Sequence, residues 1–303
     1  MEYAFMHELK FGIIGLSPGN GHPYSWAAIC NGYNPEVMKD CPFKGIPRYL
    51  AERKFPEEAI PDVRVSHVWT QDEKTSRHIA AASLIENVVS DYSKMIGEVD
   101  AVLLARDDAE NHYAIAKPLI ESGLRIYIDK PLAYDKTEAE RIYDLQVYDD
   151  QIFTCSALAY APELQLTPED REFIGPIRVV EAEVVKDWDK YAVHIIEPVL
   201  NIIGRDRKIR KVKAEGNGDG RCVATFWDNG LVTIFKSLGS QPGGIVINIV
   251  GDRGSKRLEF NDAFTAFRSA LQEFAAVVRK GKPAPRRDHV LQVVEIIEAG
   301  RKG

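Results

Sequence analysis

Strand and helix signals alternate through the first half of this chain, and that alternation restricts it to a parallel sheet with helices on its faces. Phe11-Gly12-Ile13-Ile14 reads as a strand, followed by a glycine-rich turn and a short helix from Ser25 to Asn31. Arg64 to Trp69 is a second strand, Glu73 to Leu84 a helix, and Val99 to Ala105 a continuous apolar strand suited to burial on both faces. Asn111 to Ser122 reads as a helix closed by Gly123, and Arg125 to Ile128 as the strand after it. Thr137-x-x-Glu140 fits a capping box for a helix running to Tyr148, with Ile152 to Ser156 a further strand. Five prolines, Pro35, Pro42, Pro47, Pro56 and Pro61, fill the stretch from Asn34 to Pro61. It is too long for a tight connection and is read as an ordered insertion, a lid or an interface.

Past Tyr134 the signals become antiparallel. Cys222 to Trp227, the turn Asp228-Asn229-Gly230 and Leu231 to Ser237 form a hairpin with the Asn-Gly chemistry of a type I′ turn. A second hairpin is expected at Asp252-Arg253-Gly254. Phe264, Phe267, Leu271, Phe274 and Val278 share one helix face, and Val290, Val294 and Ile297 another. These helices cover the second sheet or return to the first domain. At 303 residues the chain exceeds one ordinary core, so two domains are expected, residues 1–133 and 134–303.

The charge balance, Lys+Arg 39 against Asp+Glu 45 for a net -6, argues against a general nucleic-acid binder. No run of about eighteen apolar residues suits a membrane span. The opening Met1-Glu2-Tyr3-Ala4-Phe5 lacks the order of a secretory signal, so a cytoplasmic location is expected. Cys30, Cys41, Cys155 and Cys222 lack metal-ligand spacing and read as reduced thiols, with no metal expected.

The strand Arg125 to Ile128 runs into Asp129-Lys130-Pro131-Leu132, which puts a lysine beside a carboxylate where open α/β sheets bind ligands. A lysine there can exchange a proton with a substrate hydroxyl once its surroundings favour the neutral amine. After the first strand, Gly12 to Gly21 stands where a dinucleotide site would carry G-x-G-x-x-G. Counting from Gly15, Ser17 takes the second glycine position and Asn20 the third, unless Gly19 or Gly21 serves through a longer loop. At the end of the second strand Thr70 occupies the place of the acid that binds ribose in NAD sites. Asp72 either substitutes for it or caps the next helix, and a neutral Thr70 would also tolerate a 2′-phosphate paired with Arg77 or Arg106. The cofactor is therefore NAD or NADP. Asp107 and Asp108 follow the fourth strand and either bind polar groups or cap the next helix. Tyr191 and His194, three residues apart, would share a helix face, although Pro198 points to a main helix starting there. Asp187, Trp188 and Asp189 read either as a sugar platform or as a loop with a buried tryptophan.

The chain resembles the Gfo/Idh/MocA family, which includes glucose-fructose oxidoreductase and inositol dehydrogenase, over nearly its whole length. The likeness is carried by Gly12 to Leu16, Val99-Asp100-Ala101-Val102, His112 opening a helix, Glu121-Ser122-Gly123, and Asp129-Lys130-Pro131-Leu132 in place of the family's E-K-P-L. Ile174-Gly175-Pro176-Ile177, Tyr191-x-x-His194-x-x-Glu197 and the ending Phe274 to Gly281 with Val290 to Ala299 extend it. The resemblance implies an N-terminal Rossmann dinucleotide-binding domain and a C-terminal domain with an open, mostly antiparallel sheet covered by helices. It also implies hydride transfer between NAD(P) and a hydroxyl-bearing carbon of a sugar, polyol or nucleotide-linked sugar. Lys130 would be the catalytic lysine, helped by His194 and Tyr191, and Asp129 the cofactor-side acid. The chain departs from the family in having Lys190 where an aspartate often precedes the histidine, Asp107-Asp108-Ala109 for Thr-Pro-Asn, and Ala159-Tyr160 for Arg-Tyr. Those departures leave two other uses open, a non-catalytic sensor of dinucleotide or sugar and a redox-neutral lyase or glycosidase with held NAD. The open sheet also points to a homodimer or homotetramer.

Overall fold

The computed structural model describes residues 7–217 and 219–303, and the opening run Met1 to Phe5 lies outside the described residues. In chain order the elements begin with β1 (Leu9–Ile14), α1 (His22–Asn31), α2 (Pro35–Met38), α3 (Gly45–Ala51), β2 (Val63–Trp69), α4 (Glu73–Ala82) and β3 (Asn87–Val88). There follow β4 (Ala101–Leu104), α5 (His112–Glu121), β5 (Arg125–Ile128), α6 (Lys136–Tyr143), β6 (Ile152–Phe153), α7 (Pro168–Ile174), β7 (Ile177–Val184), α8 (Trp188–Tyr191) and α9 (Val193–Ile203). The chain ends with β8 (Ile209–Asn217), β9 (Gly220–Trp227), β10 (Val232–Ser237), β11 (Val246–Gly251), β12 (Ser255–Glu259), α10 (Ala263–Val278) and α11 (Arg287–Lys302).

Two compact units result, each assembled from three stretches of chain: Met1–Asp129, Arg141–Thr154 and Phe267–Pro285 in the first, and Lys130–Glu140, Cys155–Ala266 and Arg286–Gly303 in the second. The sheet of the first unit has the order β3-β2-β1-β4-β5-β6 with every pairing parallel. The order reverses between β1 and β4, which opens a crevice at their carboxyl ends, the place where doubly wound sheets take ligands. All of β4 is buried, as its unbroken apolar run requires of a strand covered on both faces. Beneath lies an aromatic core in which Trp26 stacks on Tyr127 at 4.8 Å and Phe274 packs on Phe11 at 5.3 Å and on Phe153 at 5.5 Å. The face of α10 seen in the sequence thus returns, from Phe267 onward, to the first unit.

Local chemistry sets most element ends. Gly123, at φ 88°, closes α5 with a Schellman pair, its amide on Ile120 O and the Leu124 amide on Leu119 O. The expected box at Thr137 and Glu140 is displaced. Asp135 caps α6 instead, accepting the Glu138 amide at 2.9 Å, because its carboxylate stands two residues before Thr137, and α6 stops at Tyr143 rather than Tyr148. The proline-rich insertion is ordered as α2 and α3, and the Tyr49 hydroxyl of α3 bonds Ser25 of α1.

In the second unit the sheet order is β12-β11-β7-β10-β9-β8, antiparallel at every pairing except β7 with β10. Both hairpins fall where their turn residues place them, β9–β10 about Asp228-Asn229-Gly230 and β11–β12 about Asp252-Arg253-Gly254. Pro198 does not begin the main helix. α9 starts at Val193 and runs through it, since a missing proline donor removes one bond while Ile195, Ile196, Val199 and Leu200 are all buried. No helix among the described residues is long and apolar enough to cross a membrane.

Candidate active site

In the first unit the residues expected to meet a dinucleotide lie at the carboxyl ends of β1, β2, β4 and β5. Gly15 is required by packing, since a Cβ there would sit 2.2 Å from Pro23 Cγ. Ser17 Oγ donates to Asp107 Oδ1 at 2.7 Å and accepts the Asp107 amide at 3.1 Å, so it joins the end of β1 to that of β4. Gln71 clasps the Leu16 backbone, its Oε1 accepting the amide at 3.0 Å. Asn20 caps the first amide of α1, that of His22, at 2.7 Å, while the Tyr24 and Ser25 amides bond to Gly21 O. The first turn of α1 is therefore satisfied within the protein, and Pro23 has no donor to offer. Gly21 also serves packing, because a Cβ there would meet Phe43 and Ile46 at 2.6 Å. Gly19 is different: its φ is +82° and nothing lies within 4 Å of where its Cβ would stand.

Asp129, 1% exposed, accepts from Asn20 Nδ2 at 2.8 Å and from His22 Nδ1 at 2.6 Å. The His22 ring in turn stacks on Trp26 at 4.8 Å and meets the edge of Phe267 at 5.0 Å. The sequence reading missed His22, whose only signal was its place one residue after the glycine loop.

Thr70 and Asp72 build the turn into α4. The Thr70 hydroxyl donates to Asp72 O at 2.7 Å, and the Asp72 carboxylate caps the helix through the Thr75 amide at 3.0 Å. Hydrogen bonds from the Thr75 hydroxyl and amide hold that exposed carboxyl below the ordinary range. Neither arginine expected for a 2′-phosphate is available: Arg106 forks onto Asp108 and reaches Gln71 at 3.2 Å, and Arg77 is bonded to Glu73 one helical turn away. Burial opposes charge on Asp108, yet Arg106 and Asn111 hold its carboxyl below the usual range. His112 is fully buried with Nε2 2.8 Å from Arg106 O, bracing the loop after β4.

In the second unit Lys130 is 5% exposed, and its Nζ lies 5.6 Å from the centroid of the Tyr191 ring. Lys186 Nζ donates to the Tyr191 hydroxyl at 2.6 Å. The Tyr191 and His194 rings are 5.7 Å apart, although a break at Ala192 puts them on α8 and α9 rather than one helix. His194 Nδ1 lies 2.8 Å from Ser156 Oγ. The Ser156 amide donates to Glu197 Oε2 at 2.6 Å, and Arg205 holds the other carboxylate oxygen at 3.2 Å. Burial pushes the Glu197 carboxyl up, against the pull of Arg205 and the Ser156 amide. Ser156, Arg205 and Lys186 were not singled out in the sequence, because each reaches its partner through the fold.

The sugar platform is not formed. Trp188 is 3% exposed, donates Nε1–H to Ile297 O at 2.9 Å, and lies so close to Gly300 that a Cβ there would be 2.3 Å from it. Asp187 caps α8 by accepting the Lys190 amide at 2.9 Å, and Asp189 pairs with Arg301 at 2.9 Å. Tyr160, half-buried, ends the single turn Ala157–Tyr160 that Ser156 caps.

A doubly wound parallel sheet with a switch-point crevice in one unit and a mostly antiparallel sheet in the other define the class of two-unit Rossmann-fold proteins. Residues 45–155 match the GFO_IDH_MocA family, described as an oxidoreductase family with an NAD-binding Rossmann fold. The match runs from α3 to just past β6, a little over a third of the chain, and the likeness to that family is confined to it. The matched stretch begins beyond the β1–α1 loop, where the glycine pattern is altered. No curated protein matches the sequence. Among solved structures, myo-inositol 2-dehydrogenase from Lactobacillus plantarum is 15% identical, with a TM-score of 0.71 over 97% of this chain and 96% of its own. UDP-N-acetylglucosamine 3-dehydrogenase from Acidithiobacillus ferrooxidans is 16% identical, with a TM-score of 0.70 over 98% of both chains. GenD2 from gentamicin A biosynthesis, solved with NAD, is 18% identical, with a TM-score of 0.70 over 98% of this chain and 94% of its own. At these identities the likeness is one of fold.

Proposed function

We propose that this protein is an NAD-dependent dehydrogenase or reductase acting on a hydroxyl-bearing carbon of a sugar, polyol or nucleotide-linked sugar. One observation carries the reading: the Lys130 amine, the Tyr191 phenol and the His194 imidazole gather in one unit, with Tyr191 5.6 Å from Lys130 Nζ and 5.7 Å from the His194 ring. NAD, when bound, supplies the hydride acceptor at the carbinol carbon. On oxidation Lys130 Nζ takes the hydroxyl proton, and on reduction it returns it. The Tyr191 oxygen accepts from Lys186, which leaves its own proton to donate to the substrate oxygen. When Ser156 donates to His194 Nδ1, the imidazole carries its hydrogen on Nε2 as a second donor toward that oxygen. NAD is preferred over NADP because Arg106 and Arg77 are both committed to carboxylates. The myo-inositol and UDP-N-acetylglucosamine enzymes of the same fold support a polyhydroxylated substrate.

The test is Lys130→Ala assayed for NADH formation over a panel of sugars and cyclitols, with dinucleotide affinity followed by nicotinamide fluorescence. Turnover falls by roughly 10²- to 10⁴-fold, as for loss of a general acid or base, with NADH affinity nearly unchanged. Unchanged turnover refutes the role of Lys130. Product formed with no net change in the cofactor's oxidation state would mark a redox-neutral lyase or glycosidase, and NADH binding with no turnover on any of them a sensor.

A further inference from the structure

Lys186 leaves the end of β7 in a conformation that L residues rarely adopt. Its φ is 73°, and a two-way backbone bridge to Gly239 holds it there, the Lys186 amide on Gly239 O at 2.7 Å and the Gly239 amide on Lys186 O at 3.1 Å. A non-glycine residue in this region costs on the order of 1–3 kcal/mol, and such residues concentrate where a side chain must be aimed. The exposed side chain is aimed at the Tyr191 ring, with Nζ 4.3 Å from the centroid and 2.6 Å from the hydroxyl. Lys130 Nζ is 5.6 Å from the same centroid, so two ammonium groups attend one phenol. A ring quadrupole attracts cations but cancels no charge. The acids next to Lys186 in sequence are engaged elsewhere, Asp187 on the Lys190 amide and Asp189 on Arg301. Among the described residues the Lys186 side chain hydrogen-bonds the Tyr191 hydroxyl and forms no ion pair with a carboxylate.

We propose that Lys186 determines specificity: with Lys130 and Tyr191 it forms a cationic subsite that takes an anionic sugar through its carboxylate or phosphate, beside the hydroxyl that reacts. One of the three Nζ hydrogens of Lys186 serves the Tyr191 hydroxyl, which leaves two donors for such a group. This inference rests on the function proposed above in placing the substrate at Lys130, but its test reads binding rather than turnover.

Titration calorimetry of the full chain saturated with NADH, against D-glucuronate, D-glucose 6-phosphate and D-glucose, tests it. One or both anions bind at least tenfold more tightly than glucose, and the stronger of the two identifies the carboxylate or the phosphate as the recognised group. Lys186→Met abolishes that preference, Lys186→Arg restores it, and Lys186→Gly, which suits the backbone, loses it while melting no lower than wild type. Equal affinity for glucose and both anions, or anion preference intact in Lys186→Met and Lys186→Gly, overturns the proposal. Turnover unaffected by Lys130→Ala with Lys186-dependent anion binding intact would instead sink the assigned reaction and leave the anion subsite standing.

Discussion

Ser156 Oγ lies 2.8 Å from His194 Nδ1, although the two residues are 38 apart in the chain. The amide of the same serine fastens Glu197, so one residue sets both the imidazole and the buried carboxylate one turn further along α9. Removing the hydroxyl leaves the Glu197 bond in place but deprives the imidazole and also the Leu158 amide, which the same oxygen accepts at 3.2 Å.

Ser156→Ala therefore acts on His194 and on the cap of the Ala157–Tyr160 turn, with Glu197 still held. We expect kcat/KM to fall by roughly tenfold, about 1.4 kcal/mol, with stability lowered by about 1 kcal/mol. Because His194 orients rather than exchanges the proton, the loss should fall on kcat and displace its pH profile, whereas a purely structural serine would leave that profile in place. Steady-state kinetics across pH decide between them.

Glu197 makes a pH-dependent contribution whose sign follows from its surroundings. Burial raises its carboxyl above the ordinary value, so the folded chain holds this proton more tightly than the unfolded chain does. The stabilisation is present below the ordinary glutamate value, about 4.3, and is lost as pH rises through the raised folded value. Glu197→Gln keeps an acceptor for the Ser156 amide and does not titrate. The stability of the variant relative to wild type should therefore climb as pH rises above about 4.3, read from urea unfolding at each pH. A flat difference would mean that the carboxyl titrates alike in both states.

His22→Ala removes a donor at 2.6 Å from the buried Asp129 carboxylate together with a ring stacked on Trp26. A buried acceptor stripped of one partner costs about 1–3 kcal/mol. Denaturant midpoints should fall accordingly, and Asn20→Ala, which removes the other donor, should show non-additivity with His22→Ala because the two share one carboxylate.

The glycine loop separates packing from binding. Gly21→Ala drives a methyl to 2.6 Å from Phe43 and Ile46 and should lower stability by about 1–3 kcal/mol. Gly19→Ala meets nothing within 4 Å, so its stability cost is confined to its positive φ, about 1–2 kcal/mol, while its methyl enters the space a pyrophosphate would use. Melting curves and NADH fluorescence titrations should therefore single out Gly19→Ala as the substitution that weakens dinucleotide binding at nearly native packing.

Much of the architecture was legible from neighbours in sequence. The apolar run before Ala105, the Gly123 stop and the Asn229-Gly230 turn act over a few residues, and each fell where its chemistry required. The place of Lys130 was legible too, two residues past the end of the parallel strand β5. Competing local signals misled where two stood side by side. Asp135 outcompeted Thr137 for the start of α6, and the buried apolar face of α9 outweighed the break expected at Pro198.

The sequence alone determined where strands, helices and turns form, because propensity, periodicity and turn chemistry are short-range properties written into adjacent residues. Only the tertiary structure decided the partners: that His22 meets Asp129 across 107 residues, that Trp188 fills the core instead of facing a sugar, that Arg106 belongs to Asp108, and that Lys186 joins Tyr191. A side chain's charge and length are readable from the chain, but the group that satisfies it is chosen by which strand ends and helix faces the fold packs together, and no local pattern records that choice.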